Sequence, residues 1–104
     1  MVIWTAHAKA QLRAIHDYIA QDSPLYAKRV AQELVHAADP LEELPHIGRK
    51  VPELDQEAVR EIGLYSYRIM YELKQNGQVY ILAIIHKRRH IEPTQIPRTS
   101  PPEN

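Results

Sequence analysis

The sequence predicts a small α+β domain in which an antiparallel helix hairpin packs on one side of a small antiparallel β-sheet. Three observations predict this fold class. Apolar residues recur at helical spacing between residues 6 and 41, apolar and polar residues alternate between residues 67 and 86, and short turn signals separate these segments. With a short N-terminal strand added, the predicted element order is β-α-α-β-β-β.

The first strand is predicted at the apolar run Val2–Trp4. Thr5 is the expected N-cap of the first helix, because its hydroxyl can accept a free amide N–H of the first turn. This helix is predicted to extend to Gln21. Its apolar residues recur at intervals of four, three and four and line one face, namely Ala8, Leu12, Ile15 and Ile19.

The second helix is predicted to follow almost at once, with Ser23 as its N-cap and Pro24 at its first position, where the missing N–H costs nothing. Its apolar face comprises Ala27, Val30, Leu34, Ala38 and Leu41. Pro40 lies within this pattern and would remove a backbone hydrogen bond from a helix interior. We therefore expect a kink there, or a restart capped by Asp39.

A connection without regular structure is predicted over residues 45–56, followed by a strand over residues 57–64. A hairpin of strands Tyr67–Lys74 and Val79–His86 completes the sheet. Asn76-Gly77 predicts a two-residue type I′ turn in this hairpin, because both turn positions need a positive φ. The turn sets a register that pairs Gln75 with Gln78, Tyr71 with Leu82, Ile69 with Ile84, and Tyr67 with His86.

This register divides the hairpin into two faces. The face predicted to pack against the helices carries Tyr67, Ile69, Tyr71, Leu73, Tyr80, Leu82 and Ile84. The opposite face mixes charged and apolar side chains, namely Arg68, Met70, Glu72, Ile81, Ala83 and Ile85. Because exposed apolar groups of this kind mark contact surfaces, we expect a macromolecular partner to bind there. The expected contact residues are Met70, Ile81, Ala83 and Ile85.

The chain of 104 residues has the size of one domain, which we assign to residues 1–92. Residues 93–104 contain four prolines with polar spacers, which predicts a C-terminal tail that is flexible or ordered only on partner binding. The absence of cysteine excludes disulfides and thiolate metal sites. Without an export signal or a run of 18 apolar residues, the chain is expected to be cytoplasmic and to have no membrane span.

Thirteen basic residues balance thirteen acidic residues, and the pI near 7.0 argues against general attraction to nucleic acid or to membranes. A local basic cluster nevertheless occupies residues 86–90. His86 and His90 would stand about 13 Å apart on a continued strand, which is too far for one metal ion. No metal or other cofactor is expected.

Several short motifs follow one another along residues 2–91. They are Trp4 with Ala8 and Leu12, Tyr18-Ile19-Ala20, Asp22-Ser23-Pro24, Ala27, Pro45 with Gly48-Arg49, Val51-Pro52-Glu53-Leu54, Arg60-Glu61, Tyr67-Arg68-Ile69 with Tyr71, and His86 with Arg89. Their joint order resembles the RelE/ParE toxin superfamily of type II toxin–antitoxin and plasmid-stabilisation modules. The uninterrupted helix hairpin and the segment of residues 45–54 resemble the ParE branch.

The resemblance implies a toxin that inhibits DNA gyrase by binding rather than by catalysis, and that forms a hetero-oligomer with a cognate, ParD-like antitoxin. The mixed sheet face is the expected antitoxin-binding surface. The expected target-binding residues are Arg60, Arg68, Lys87, Arg88 and Arg89, supplemented on the helix hairpin by Arg13, Lys28 and Arg29. Alternatively, the sheet arginines face solvent or pair with Glu61 and Glu72, and the basic cluster is a solvated charge run.

A second interpretation is a RelE-like, ribosome-dependent mRNA endonuclease. Cleavage of RNA without a metal needs a group that takes the 2′-hydroxyl proton, a group that protonates the leaving oxygen, and cations that hold the phosphorane. The residues that match this chemistry are Arg60, Arg68, His86 and Arg89. No tyrosine follows Tyr80, where such enzymes often place an aromatic ring to stack a base. A third interpretation is a former toxin that retains only antitoxin binding.

Overall fold

The computed structural model describes residues 2–99 and contains one five-stranded sheet in the order β1-β5-β4-β3-β2. The strands are β1 Val2–Trp4, β2 Arg49–Lys50, β3 Val59–Leu64, β4 Tyr67–Leu73 and β5 Val79–His86, and the helices are α1 Ala6–Ala20 and α2 Pro24–Ala38. The predicted α+β class and element order are confirmed, with β2 as an additional short edge strand. The sheet is mixed rather than purely antiparallel, because β1 pairs in parallel with β5.

The helix hairpin begins at the predicted caps. The Thr5 hydroxyl accepts the Ala8 N–H at 3.1 Å, and the Ser23 hydroxyl accepts the Tyr26 N–H at 3.2 Å. After α2, a short 3-10 helix spans Asp39–Glu42, which confirms the expected restart. Asp39 is not its cap: Asp39 is the first residue inside this 3-10 helix, and Ala38 occupies the N-cap position without a side-chain hydrogen bond.

The helices pack against one face of the sheet and enclose a first core. Its buried members are Ala8, Val30, Leu34, Ala38, Leu41, Ile69, Tyr71, Val79, Ile81 and Ile84. Gln11 of α1 ties the helix to the sheet, because its side-chain oxygen accepts the Ile84 N–H at 2.7 Å. Within residues 2–99, neither helix is long and apolar enough to cross a membrane.

The β4–β5 turn contains one residue more than predicted. Lys74 and Gln78 close the loop through a 2.9 Å backbone hydrogen bond, and only Gly77 has a positive φ (+88°), so the predicted type I′ turn is wrong. A three-residue loop with glycine at the left-handed position replaces it. The extra residue shifts the register by one, so that Tyr71 pairs with Ile81 instead of Leu82.

A β-bulge at Leu82 then restores the predicted register, and the pairs Ile69–Ile84 and Tyr67–His86 are confirmed. Between the turn and the bulge the faces of β5 are exchanged relative to the prediction, because a shift of one residue moves each side chain to the other face. Ile81 therefore belongs to the first core, whereas Tyr80 and Leu82 lie on the face away from the helices.

The face away from the helices carries a second core. Its buried members are Val51, Val59, Met70, Leu82, Ala83, Ile85, Ile91 and Ile96. Residues 91–99 cover this face, which differs from the predicted flexible tail, whereas residues 100–104 lie outside the described residues. Arg98 and Thr99 fasten the segment by donating hydrogen bonds to the Glu72 carboxylate at 2.7 Å and 2.9 Å.

Candidate functional site

Arg60 and Arg68 lie on opposite faces of the sheet, so the structure does not bring these two predicted site residues together. Arg60 pairs with Tyr71 across the β3–β4 ladder and therefore shares the helix-covered face with it. Its guanidinium donates to the Glu57 carboxylate at 2.6 Å and to the Gly48 carbonyl at 2.8 Å. Arg60 thus holds the loop that precedes β2.

Arg68 is buried on the other face within a network of carboxylates. Its guanidinium donates to both Glu53 oxygens, at 2.9 Å and 2.7 Å, and its Nε donates to Glu61 Oε1 at 2.8 Å. Arg49 donates to the second oxygen of Glu61 at 2.7 Å. The sequence alternative in which Arg68 pairs with Glu61 is therefore confirmed, while Glu72 pairs with Arg98 instead.

The ion pairs change the acidity of their members. The hydrogen bond from Arg68 lowers the pKa of Glu53, and its effect exceeds the opposing effect of burial. The hydrogen bonds that Arg68 donates to Glu53 and Glu61 raise the pKa of Arg68 against the effect of burial. Arg68 therefore stays charged, and the carboxylates of Glu53 and Glu61 occupy its guanidinium.

A shallow cleft opens beside this network, with a volume of about 470 Å³. It is lined by Arg49, Pro52, Glu53, Glu61, Ile62, Gly63, Arg68 and Lys87. Arg49 and Lys87 are the exposed cations of the cleft, and the side chain of Arg49 is 69% exposed. Sequence reasoning missed Arg49 and Glu53 as site residues. The sequence signal for Glu53 was its place as the one acidic residue in the Val51-Pro52-Glu53-Leu54 motif.

A tight turn at the end of β5 presents three consecutive cations, Lys87, Arg88 and Arg89, which we name the cationic rim. The Arg89 N–H donates to the His86 carbonyl at 3.0 Å, and the Lys87 N–H donates to the Ser66 carbonyl at 2.8 Å. All three side chains are exposed, and none has a hydrogen-bond or ion-pair partner among residues 2–99. Hydrogen bonds therefore hold the backbone of the rim, while its three charged groups are exposed to solvent.

His86 contacts the Tyr67 ring edge-on, with ring centroids 5.7 Å apart, and its Nδ1 accepts the Arg88 N–H at 3.1 Å. Nδ1 therefore acts as an acceptor, which leaves Nε2 as the nitrogen that carries the proton in the neutral ring. Within residues 2–99, no group of three or more His, Asp or Glu side chains is placed to hold a metal ion.

The predicted antitoxin-binding residues are not an exposed surface in the described chain. Met70, Ile81, Ala83 and Ile85 are all buried, at 0%, 0%, 0% and 3% exposure. The bulge at Leu82 turns Ile81 toward the helices, and residues 91–99 cover the other three. The expectation of an accessible apolar face at these positions is therefore wrong, because the chain covers this face itself.

Comparisons with known proteins agree on one family. The sequence model of the family described as "ParE toxin of type II toxin-antitoxin system, parDE" matches residues 2–91. The chain is 41% identical over 88 residues to "Toxin RelE2" of Caulobacter vibrioides, which covers 85% of this chain and 96% of that protein. Among solved structures it resembles the "Chromosomal ParDE TA system from P. aeruginosa", with a TM-score of 0.68 and 27% identity over 82% of this chain and 92% of that chain.

Proposed function

Because the chain belongs to the ParE toxin family of type II toxin–antitoxin systems, we propose that it inhibits DNA gyrase by binding and that a cognate, ParD-like antitoxin neutralises it in a hetero-oligomer. The solved relative is described as a ParDE system, which supports an antitoxin partner. The proposal places the chain in the cytoplasm, where gyrase acts, as the toxin of a plasmid-stabilisation module.

The observation that carries the binding proposal is the cationic rim. The other arginines of the sheet and its loops, Arg49, Arg60, Arg68 and Arg98, all donate to carboxylates within the chain. Within residues 2–99, Arg88 and Arg89 have no such carboxylate partner, although Glu92 lies only three residues beyond Arg89. Unpaired surface charges of one sign steer a partner of opposite charge and set the salt dependence of its association.

The arrangement of the candidate nuclease residues also supports binding over catalysis. Arg60 and Arg68 lie on opposite faces of the sheet and are each committed to carboxylates. His86 uses Nδ1 to accept a backbone N–H of its own turn. Within residues 2–99, Arg60, Arg68 and His86 thus do not converge on a point where a 2′-hydroxyl and a phosphate could both be held, as acid–base cleavage requires.

The test is inhibition of DNA supercoiling by purified gyrase. We expect the unaltered chain to inhibit supercoiling, and reversal of Lys87, Arg88 and Arg89 to Glu to raise the required concentration by about tenfold or more, since the attraction becomes repulsion. Antitoxin binding should be largely kept. Single reversals provide a matched control: Arg88→Glu should weaken inhibition, whereas Lys9→Glu, on the exposed side of α1, should not.

Mapped mRNA breaks in a translating extract distinguish the alternatives. Unhindered supercoiling together with codon-linked mRNA breaks would replace gyrase by the ribosome as the target. Neither activity, with antitoxin binding intact, would indicate a chain that retains only the antitoxin interaction. Equal loss of inhibition and antitoxin binding in the triple variant would mean that both partners use the rim.

A further inference from the structure

Three tyrosines from three separate elements converge at one end of the molecule. Tyr18 lies in the last turn of α1, Tyr26 lies in the first turn of α2, and Tyr67 begins β4. α1 runs along β5 toward the Tyr67–His86 pair, because the Thr5 hydroxyl before its first turn donates to the Ile81 carbonyl at 2.8 Å and Gln11, further along, accepts the Ile84 N–H at 2.7 Å. The short loop of residues 21–23 keeps the start of α2 at the same end. Consistent with this placement, burial raises the pKa of the Tyr67 hydroxyl, and the nearby phenol groups of Tyr18 and Tyr26 raise it further. We name these three residues the tyrosine patch. Tyr18 is 72% exposed and Tyr26 is 48% exposed, so the patch presents large aromatic area to solvent.

The hydroxyls of the patch have no hydrogen-bond partner among residues 2–99, unlike those of the tyrosines that support the fold. The Tyr71 hydroxyl donates to the Pro45 carbonyl at 2.6 Å, and the Tyr80 hydroxyl donates to the Gln78 side chain at 3.2 Å. Tyrosine is enriched in protein interfaces because its ring is apolar while its hydroxyl can bond a partner. The tyrosine patch has both properties available.

The patch continues directly into the cationic rim. Tyr67 contacts the ring of His86, the residue that precedes Lys87, and the Lys87 N–H is bonded to Ser66, the residue that precedes Tyr67. An aromatic surface and three cations that have no ion-pair partner in the described part of the chain therefore share one end of the sheet. A partner that binds the rim through carboxylates would lie within reach of the aromatic rings as well.

We infer that the tyrosine patch and the cationic rim form one target-binding surface, which fits a protein partner with an apolar centre flanked by carboxylates. This inference rests on the proposed toxin function and adds Tyr18 and Tyr26 to its binding residues. The rings supply contact area that is insensitive to salt, and the rim supplies charge attraction that salt screens. The continuity of the two surfaces favours one partner for both.

A matched control is available at the other end of α2. Leu44 and Ile47 are also exposed apolar residues, at 56% and 61%, and they lie in the loop that follows the C-terminal end of α2. A helix of 15 residues is about 22 Å long, so these residues are remote from the helix start that carries Tyr26. Replacing them removes exposed apolar area without touching the patch.

The experiment compares two double variants. The patch variant carries Tyr18→Ser and Tyr26→Ser, and the control variant carries Leu44→Ser and Ile47→Ser. For each, growth inhibition on expression, gyrase inhibition, melting temperature, and affinity for the purified product of the adjacent reading frame are measured. We expect the patch variant to keep its melting temperature and antitoxin affinity but to need at least about tenfold more protein for inhibition. The salt dependence of inhibition should be unchanged by this variant and reduced by loss of the rim charges.

Retained toxicity of the patch variant would overturn the inference, and retained toxicity with lost antitoxin binding would assign the patch to the antitoxin. An equal loss of growth inhibition and gyrase inhibition in the control variant would also overturn the inference. If the unaltered chain stops growth but not gyrase, only the choice of target fails, and the growth comparison still tests the patch. An unaltered chain that inhibits neither would overturn the proposed function and the inference together.

Discussion

Arg68 donates hydrogen bonds to two carboxylates at once, so its guanidinium is occupied by contacts within the fold. Glu53 and Glu61 receive its guanidinium from two sides, and the residue is 9% exposed. Arg88 has the same chemistry but no partner among the described residues. Two arginines that look equivalent in the sequence therefore differ in function: one stabilises the fold, and the other is free to contact a partner.

Replacing Arg68 by Met should destabilise the chain, because the buried carboxylate of Glu61 would keep only Arg49 as its partner. Breaking a buried ion pair from one side typically costs about 3 kcal/mol of unfolding free energy. Urea denaturation measures this cost. The control Arg88→Met should change the unfolding free energy by less than about 0.5 kcal/mol. Equal stability of the two variants would contradict the structural role of Arg68.

Stability should also fall at acid pH. Arg68 lowers the pKa of Glu53, and hydrogen bonds from Arg98 and Thr99 lower that of Glu72 despite the opposing effect of burial. A lowered folded-state pKa stabilises the fold above the unfolded value of about 4.3, and this stabilisation is lost as pH falls through the folded pKa. Melting temperatures between neutral pH and pH about 3 should therefore drop, with a shallower drop for Arg98→Met. Parallel curves for both chains would count against the Glu72 contribution.

At the scale of the element, the loop before β2 is positioned by the sheet rather than by its own sequence pattern. The Tyr71 hydroxyl donates to the Pro45 carbonyl and accepts the Gly48 N–H at 3.0 Å. A Cβ atom at Gly48 would lie 2.5 Å from the Glu61 carbonyl oxygen and 2.6 Å from the Tyr71 hydroxyl. Glycine is required at position 48 because the backbone there approaches Glu61 and Tyr71 too closely for a side chain. This close approach brings β2 next to β3.

Gly48→Ala should therefore cost more than Gly77→Ala. At Gly48 the added methyl group collides with backbone, and overpacking of this kind costs about 3 kcal/mol. At Gly77 a Cβ meets nothing within 4 Å, and only the positive φ of +88° opposes alanine, at about 1 kcal/mol. Chemical denaturation ranks the two variants. A more stable Gly48 variant would show that the loop can move away from Tyr71 at little cost.

At the scale of the whole molecule, both faces of one sheet are covered by different parts of the chain. The helices cover the first core, and residues 91–99 cover the second with the buried side chains Ile91 and Ile96. No backbone–backbone hydrogen bond joins residues 91–99 to the sheet, and the hydrogen bonds that do join this segment to the sheet, from Arg98 and from the hydroxyl and N–H of Thr99, all end on the Glu72 carboxylate. Its apolar contacts must therefore supply much of the stability of the second core.

Ile96→Ala should lower the unfolding free energy by about 3 kcal/mol, because it removes buried methyl groups and leaves a cavity in the second core. Thr94→Ala, on the exposed side of the same segment, should be nearly neutral. Thermal unfolding and binding of an apolar dye measure both effects. If Ile96→Ala were as stable as Thr94→Ala, the segment would not be part of the folded core.

Features that depend on neighbouring residues were predictable from the sequence: the caps of α1 and α2, the restart at Pro40, the start of β4, both bounds of β5 and the basic cluster that follows β5. The end of β4 was not, because the turn takes one residue more than a type I′ turn would. Local hydrogen bonds, helical spacing and backbone preferences cause the predictable features. Each of these causes acts between residues that are only a few positions apart in the sequence.

Three features depend on packing between distant parts of the chain: the face that each β5 residue occupies, the pairing of the arginines, and the segment that covers the second face of the sheet. The turn length and the bulge at Leu82 each shift the register by one residue, and their opposite effects cannot be read from alternation alone. Likewise, Arg68 donates to Glu53, which lies 15 positions away in the sequence, and Arg98 donates to Glu72, which lies 26 positions away. Contacts between residues so distant in sequence form only when the elements pack. Among residues 2–99, this packing provides no carboxylate partner for the cationic rim at the end of β5.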